Sequence, residues 1–207
     1  MLTLVVYAIF YPVLSSGQTE GKLFIQQTVL LDFNAENTSL ILGAMVCISR
    51  IVRVFSNLLF AKVYDKYPKK IGLALSILLC GAIGCMLFGS FIPLLFMKIA
   101  VMSLGYIIIL FVRDPFRLYV QDVMLENTPK AQHQTLLTML EFGVKIGTVA
   151  IGLSFSAILL RYPMIVVMAI LLILASIEIF LSLSLYKMVA SGNPHKKNVA
   201  RRSEVNT

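Results

Sequence analysis

The sequence has few charged residues for its length. Lys, Arg, Asp and Glu make up 14% of its 207 residues, whereas apolar residues make up 58%. A soluble domain of ordinary composition carries about a quarter charged residues. The shortage of charge therefore excludes an ordinary soluble domain, and we expect an integral membrane protein that lies in the lipid bilayer.

Histidine and cysteine are also too sparse for the common metal and catalytic sites. The two histidines are His133 and His195, and the three cysteines, Cys47, Cys80 and Cys85, lie in apolar segments without metal-ligand spacing. The sequence contains no HExxH motif, no paired Cys/His cluster and no P-loop. We therefore expect no enzyme activity, no cofactor and no metal site.

The charge that is present is mostly positive, with a formal net charge of +8. Nucleic-acid binding could explain such an excess. However, the basic residues cluster in the segment Lys62–Lys70 and in the C-terminal tail, each next to an apolar run. This arrangement is typical of cytoplasmic flanks beside anionic lipid, so we expect no nucleic-acid partner.

Apolar runs of about 20 residues, the length that crosses a bilayer, predict the membrane spans. The N-terminal region is ambiguous, because the apolar runs Leu2–Leu14 and Leu23–Phe33 are each too short and the polar segment Ser15–Lys22 separates them. The region could form one interrupted span or a hairpin that dips into the membrane, and the parity of the later spans favours one span. The other predicted spans are Thr38–Phe60, Ile71–Phe91, Leu94–Leu118, Leu136–Leu160 and Met164–Tyr186.

Six spans place both termini in the cytoplasm of a multi-pass protein of the cell membrane. We expect a transmembrane domain at residues 1–188 and a basic, disordered cytoplasmic tail at residues 189–207. The outer flanks then carry only Arg161, which agrees with the rule that basic residues stay inside. The ten basic residues on the inner flanks are Lys62, Lys66, Lys69, Lys70, Lys130, Lys187, Lys196, Lys197, Arg201 and Arg202.

Residues 61–70, AKVYDKYPKK, resemble the G-x-L-x-D-R-x-G-R-K loop motif of the major facilitator superfamily. That motif joins the second and third helices of each six-helix half. Asp65 occupies the acidic position, Lys66 replaces the arginine, and Lys69 and Lys70 form the closing basic pair. Alanine, valine and proline stand where the motif has glycine, leucine and glycine.

The segment 113–145 resembles the end of the tenth helix, the following loop and the eleventh helix of the same superfamily. The resemblance covers about residues 2–187 and implies the C-terminal six-helix half of a secondary transporter. Such a half works by alternating access around a solute site that it shares with a second half. The resemblance also implies a cytoplasmic gate in which Asp65, Lys66, Lys69 and Lys70 act with Arg113 or Arg117.

Several alternatives remain open from the sequence. The second half could be a separately encoded chain or another copy in a homodimer, or the chain could be a non-functional remnant; a truncated gene product is the most economical of these explanations. A different class of protein, the six-helix substrate-capture subunit of a vitamin-type transporter, also fits six spans. A capture subunit would hold its ligand tightly when it is purified alone, whereas a half-transporter would not.

Polar residues within the apolar runs indicate a solute site. An arginine deep in a span is costly and usually faces the bundle interior or a water-filled cavity. The embedded cations Lys22, Arg50, Arg53, Lys98, Arg113, Arg117 and Lys145 exceed the acids Glu20, Asp114, Glu141 and Glu178 by three, which favours an anionic small-molecule substrate. Two helical faces predict the substrate-binding residues, and these are Glu20, Gln27, Arg50, Arg53 and Asn57. Internal ion pairing is the competing interpretation.

Three further embedded residues are predicted to serve buried charge pairing. Glu141 and Lys145 are four residues apart, with the acid nearer the N-terminus, and this order favours a pair within one helix. Glu178 has no charged neighbour at helical spacing in the last span. It is expected to be either a protonated carboxyl or the partner of a base such as Lys145.

Overall fold

The computed structural model describes residues 2–29, 35–66, 70–126 and 128–190. These residues form six long α-helices and one short 3-10 turn, and they contain no β-strand, so the prediction of an all-α fold is confirmed. The helices are α1 (Leu2–Val29), α2 (Ala35–Lys66), α3 (Ile71–Gly89), α4 (Leu95–Glu126), α5 (His133–Leu159) and α6 (Met164–Ala190). The predicted cytoplasmic tail at 191–207 lies outside the described residues.

Four of these helices are long and apolar enough to cross a membrane, in the segments Ile71–Gly89, Leu95–Leu125, His133–Leu159 and Met164–Ser184. Helices of this kind are typical of a multi-pass membrane protein. The other two, α1 and α2, have 28 and 32 residues but carry polar residues in their central turns.

The N-terminal region forms one continuous helix rather than a hairpin. The polar segment Ser15–Lys22 lies inside α1, where Ser16, Gly17 and Gly21 are buried. An added Cβ at Gly17 would meet the Ile109 side chain of α4 at 3.8 Å. The segment therefore stays helical because its small residues pack against a neighbouring helix, and the hairpin alternative is wrong.

Two helices extend further than the apolar runs predict. α2 continues to Lys66, so Lys62 lies in a helix rather than in a loop, and α4 continues to Glu126, although residues 119–134 were expected to form a loop. Pro68 follows the described end of α2 by two residues and Pro129 follows that of α4 by three, and a proline disfavours further helix, although α4 accommodates Pro115 in its interior. A helix can thus leave the apolar layer without ending there.

The helix packing has an internal symmetry. α1 packs against α4, α5 and α6, while α4 packs against α1, α2 and α3, and α3 also contacts α6. If three is added to each helix number, with the count returning to α1 after α6, the α2–α4 contact becomes α5–α1 and the α3–α4 contact becomes α6–α1. The units α1–α3 and α4–α6 therefore share this pattern of contacts, and an odd number of spans in each would give the two units opposite orientations in a membrane.

The core lies between α1, α3, α4 and α6. Phe10 of α1 stacks on Phe116 of α4, with ring centroids 3.3 Å apart. Gly105 of α4 lies directly against α3, because an added Cβ there would sit 2.6 Å from the backbone oxygen of Ala82. Small residues of this kind allow the close helix approach that is common in membrane bundles.

By contrast, α2 and α5 lie at the edge of this core. α5 buries only three described side chains, which are Leu140, Val144 and Phe155. Large side chains on the outer faces of both helices are more than half exposed, and these include Phe55, Leu58, Phe142 and Leu153. These faces have no partner among the described residues and are apolar enough to contact lipid or another protein.

A candidate solute site on a polar face

Arg113 of α4 holds the best-defined polar cluster in the bundle. Its Nη1 donates to Oε1 of Gln18 at 2.8 Å, and its Nη2 and Nε donate to the hydroxyl of Tyr11 at 3.2 and 3.4 Å. The guanidinium carbon also lies 5.8 Å from the centroid of the Tyr11 ring. All of these contacts are with uncharged groups, and among the described residues Arg113 has no carboxylate partner. Its positive charge is therefore held in place but not neutralised.

Arg117 lies one turn further along α4 and binds α5. Its Nη2 donates to Oε1 of Glu141 at 3.0 Å, which is the one ion pair among the described residues. The predicted pairing of Glu141 with Lys145 is therefore not what the structure shows. The pairing differs because α4 and α5 bring the two side chains together across the helices, and spacing within one helix cannot reveal this. Both side chains are about half exposed, at 45% and 55%.

A third arginine within the bundle, Arg53, lies on α2. It is half-buried, and its Nε is buried without a hydrogen-bond partner among the described residues. The charge of Arg53 acts on the phenol of Tyr106 in α4. Tyr106 in turn lies beside Gly21 of α1, where an added Cβ would meet its ring at 3.5 Å. Tyr106 thus lies at the contact between α1 and α4, and α2 also packs against α4.

The three α4 residues lie on one side of that helix, because Tyr106, Arg113 and Arg117 are spaced by seven and four residues. These three residues and side chains from neighbouring helices form a cluster that we call the polar face. Its residues come from α1, α2, α4 and α5. Its members are Gln18, Arg53, Tyr106, Arg113, Arg117 and Glu141.

Two polar atoms of α1 have no partner in the described part of the chain. Nε2 of Gln18 and Oε2 of Glu20 are buried and have no partner among the described residues. Buried polar groups are normally hydrogen-bonded, so each unpaired atom calls for an explanation such as a ligand or water. Gln18 and Glu20 are two residues apart and therefore lie on opposite sides of α1, so only the unpaired donor of Gln18 belongs to the side that contacts Arg113.

The remaining predicted substrate residues lie on the surface of the bundle. Gln27, Arg50 and Asn57 are exposed. Arg50 and Asn57 border Arg53 on α2 at a spacing of three and four residues. They therefore lie within reach of a ligand on the polar face without being part of its buried portion.

The predicted gate can be followed only in part. Lys70 is exposed, and the side chains of Asp65, Lys66 and Lys69 lie outside the described residues. Tyr64, the residue before Asp65, donates from its hydroxyl to Oδ2 of Asp122. This hydrogen bond joins the last turns of α2 to the last turns of α4. Arg113 and Arg117 are engaged with Gln18, Tyr11 and Glu141, so a gate through Asp65 would have to recruit one of them from these partners.

Glu178 does not belong to the polar face. It is fully buried on α6, and its described hydrogen-bond partner is Ser182 on the same helix. Ser182 in turn contacts Ser76 of α3. Neither Lys145 nor any other base forms an ion pair with it among the described residues.

The sequence analysis missed Tyr11, Gln18 and Tyr106. Tyr11 and Gln18 are seven residues apart on α1, as Tyr106 and Arg113 are on α4. This shared spacing places each pair on one helical face and could have marked two facing polar stripes.

The described residues contain no group of three or more His, Cys, Asp or Glu side chains that could hold a metal ion. Comparisons with known proteins give no further lead, because no protein-family model, no curated protein and no solved structure matches this chain. The similarity to the major facilitator superfamily therefore stays a prediction from the sequence motif.

Proposed function

We propose that this chain is one half of a secondary transporter, resembling the C-terminal half of a major facilitator protein, that moves a small anionic solute by alternating access. The observation that carries the proposal is the polar face. Two of its three arginines, Arg53 and Arg113, have no carboxylate partner among the described residues although they lie in an apolar bundle. Charged side chains in such a setting usually mark a solute or ion pathway.

The internal symmetry of the bundle supports the same proposal. Transporters are commonly built from repeated helical units, with the solute site near the middle of the membrane where the units meet. In this chain Arg113 of the second unit donates to Tyr11 and Gln18 of the first. The polar face therefore follows the junction between α1–α3 and α4–α6.

The proposed solute carries a carboxylate, phosphate or sulfonate group. A guanidinium binds such groups through two parallel hydrogen bonds, and it keeps its charge at any physiological pH. Arg113 already uses three of its N–H donors on Gln18 and Tyr11. Arg53 has an unpaired Nε and is the better candidate for direct contact with the anion.

Uptake into proteoliposomes tests the proposal directly. The purified chain, alone and together with any six-helix chain that copurifies with it, is reconstituted and supplied with radiolabelled phosphate, succinate or taurine. We expect at least one label to accumulate. A capture subunit would instead retain a label after purification without transporting it, and an inert remnant would do neither, so either of these results would contradict the proposal.

We further propose that all six helices cross the cell membrane and that both termini are cytoplasmic. The ten-to-one distribution of basic flanking residues supports this orientation. Single cysteines at Lys69 and Asn198 should then react only with reagents that enter the cytoplasm. Cysteines at Glu36 and Tyr162 should react from outside. Labelling at Lys69 by an impermeant reagent in intact cells would reverse the proposed orientation.

A further inference from the structure

A buried carboxyl group lies in the contact between α3 and α6. The side chain of Glu178 is completely inaccessible to solvent, and its Oε2 has no hydrogen-bond partner among the described residues. Its Oε1 lies 3.4 Å from Oγ of Ser182. Ser182 Oγ lies 2.6 Å from Oγ of Ser76, which donates to the backbone oxygen of Gly72 at 3.1 Å. The four residues thus form a chain of polar contacts from α6 to the first turn of α3.

All three contacts of this chain can hold a hydrogen only when the carboxyl is protonated. The chain has three contacts, and each serine hydroxyl supplies one hydrogen while the Gly72 carbonyl supplies none. If Ser76 donates to Gly72, then Ser182 must donate to Ser76, and the third hydrogen must come from Glu178. With an ionised carboxyl, Ser182 would have to donate to Oε1 of Glu178 at 3.4 Å, and the single Ser76 hydrogen could then fill only one of its two contacts, the one to Ser182 at 2.6 Å or the one to Gly72 at 3.1 Å.

The surroundings of Glu178 offer no charge that could replace this proton. Ser76 and Ser182 are themselves buried. An isolated carboxylate in an apolar interior is far more costly than a neutral one, unless a partner compensates it. Among the described residues, no ion pair or hydrogen bond joins Glu178 to a titratable or charged side chain of the helices that pack against α6. These side chains are Tyr11, Glu20 and Lys22 on α1, Lys70, Cys80 and Cys85 on or just before α3, and His133, Glu141 and Lys145 on α5.

We propose that Glu178 is a proton-binding site, and that it holds its proton while α3 and α6 are packed as they are in this structure. Loss of the proton removes one contact of the chain and leaves a bare charge between the two helices. The helices must then separate or admit water, so proton release and a change in the α3–α6 contact occur together. The proposal concerns α3 and α6 alone and does not depend on solute binding at the polar face.

A hydrophobic carbodiimide tests this site in the full chain in membranes or detergent. The reagent reacts with a protonated carboxyl group in an apolar setting. The carboxyl proton moves to a carbodiimide nitrogen, and the carboxyl oxygen bonds to the central carbon of the carbodiimide. Rearrangement then gives a stable N-acylurea. Mass spectrometry of the α6 peptide detects the added mass. We expect labelling at Glu178, and we expect it to decline as the pH is raised within the range in which the protein stays folded.

Two variants make the result specific. Glu178→Gln keeps a hydrogen-bond donor, so it should fold normally while the α6 peptide is no longer labelled. Ser76→Ala allows Ser182 to donate to the carboxylate and should move the decline in labelling to lower pH. Glu141, which is half exposed and paired with Arg117, is the internal control and should not be labelled.

Three results would overturn the proposal. The first is a folded protein whose Glu178 stays unlabelled at every pH. The second is labelling that does not change with pH, which would indicate a permanently protonated structural carboxyl. The third is a Ser76→Ala variant whose pH dependence equals that of the unmodified chain. None of these results bears on uptake through the polar face, so the two proposals can fail separately.

Discussion

Replacing Gly105 with alanine is expected to destabilise the bundle by about 1–3 kcal/mol. The new Cβ would sit 2.6 Å from the backbone oxygen of Ala82 and 2.8 and 3.3 Å from Cγ and the backbone nitrogen of Met86. Backbone atoms cannot rotate out of the way as a flexible side chain can. α3 must therefore move away from α4, and these two helices share the most extensive contact in the fold.

Gly81 provides the matched control, because it lies in the neighbouring helix α3 and an added Cβ there would meet nothing within 4 Å. Gly81→Ala should be neutral or should stabilise the protein by up to about 1 kcal/mol, since alanine favours helix more than glycine does. The free energy of unfolding in a detergent–denaturant titration compares the two variants. A Gly105→Ala variant as stable as Gly81→Ala would contradict the close approach of α3 and α4.

Replacing Arg53 with alanine is expected to reduce solute uptake by about 10- to 100-fold. The basis is the loss of a charged donor whose Nε has no protein partner among the described residues. Because that donor holds no described part of the fold together, the variant should keep its thermal stability. The measurement is initial uptake of whichever anion the unmodified chain accumulates in proteoliposomes.

Two arginine variants separate solute binding from a general effect of charge. Arg53→Lys should recover little uptake if the anion is held by two parallel hydrogen bonds, and more if only the charge matters. Arg161→Ala removes an exposed arginine in the turn between α5 and α6 and should leave uptake unchanged. Unaltered uptake by Arg53→Ala would exclude Arg53 from the solute site.

The sequence indicates the helices well because the apolar runs match the length that a bilayer requires. It misplaces two helix ends. Apolar runs report the thickness of the lipid layer, whereas a helix can continue beyond that layer through polar residues. α2 and α4 continue through charged residues to Lys66 and Glu126, and a proline follows two or three residues later.

The polar residues of the site were easier to find than their partners. Arg53 and Glu20 stand out as polar residues in apolar runs, but the partners of Arg113 and Glu141 lie on other helices. The spacing within Glu141–Lys145 is visible in the sequence, while the contact of Arg117 with Glu141 depends on how α4 and α5 are placed. A single sequence contains no periodic signal for contacts of that kind.

The central claim is that the polar face lines a water-filled pathway through the membrane, and cysteine accessibility on α2 tests it most directly. Asn57 lies one turn from Arg53. Phe55 and Leu59 are each two residues from Asn57, so they lie about 160° from Asn57 around the helix, one above it and one below it in depth. All three side chains are exposed in the bundle. In a chain whose native cysteines are replaced by alanine, a charged methanethiosulfonate should modify Asn57→Cys in membranes and leave Phe55→Cys and Leu59→Cys unmodified. Equal protection of all three cysteines, or modification only of Phe55→Cys and Leu59→Cys, would contradict a water-filled pathway along the polar face.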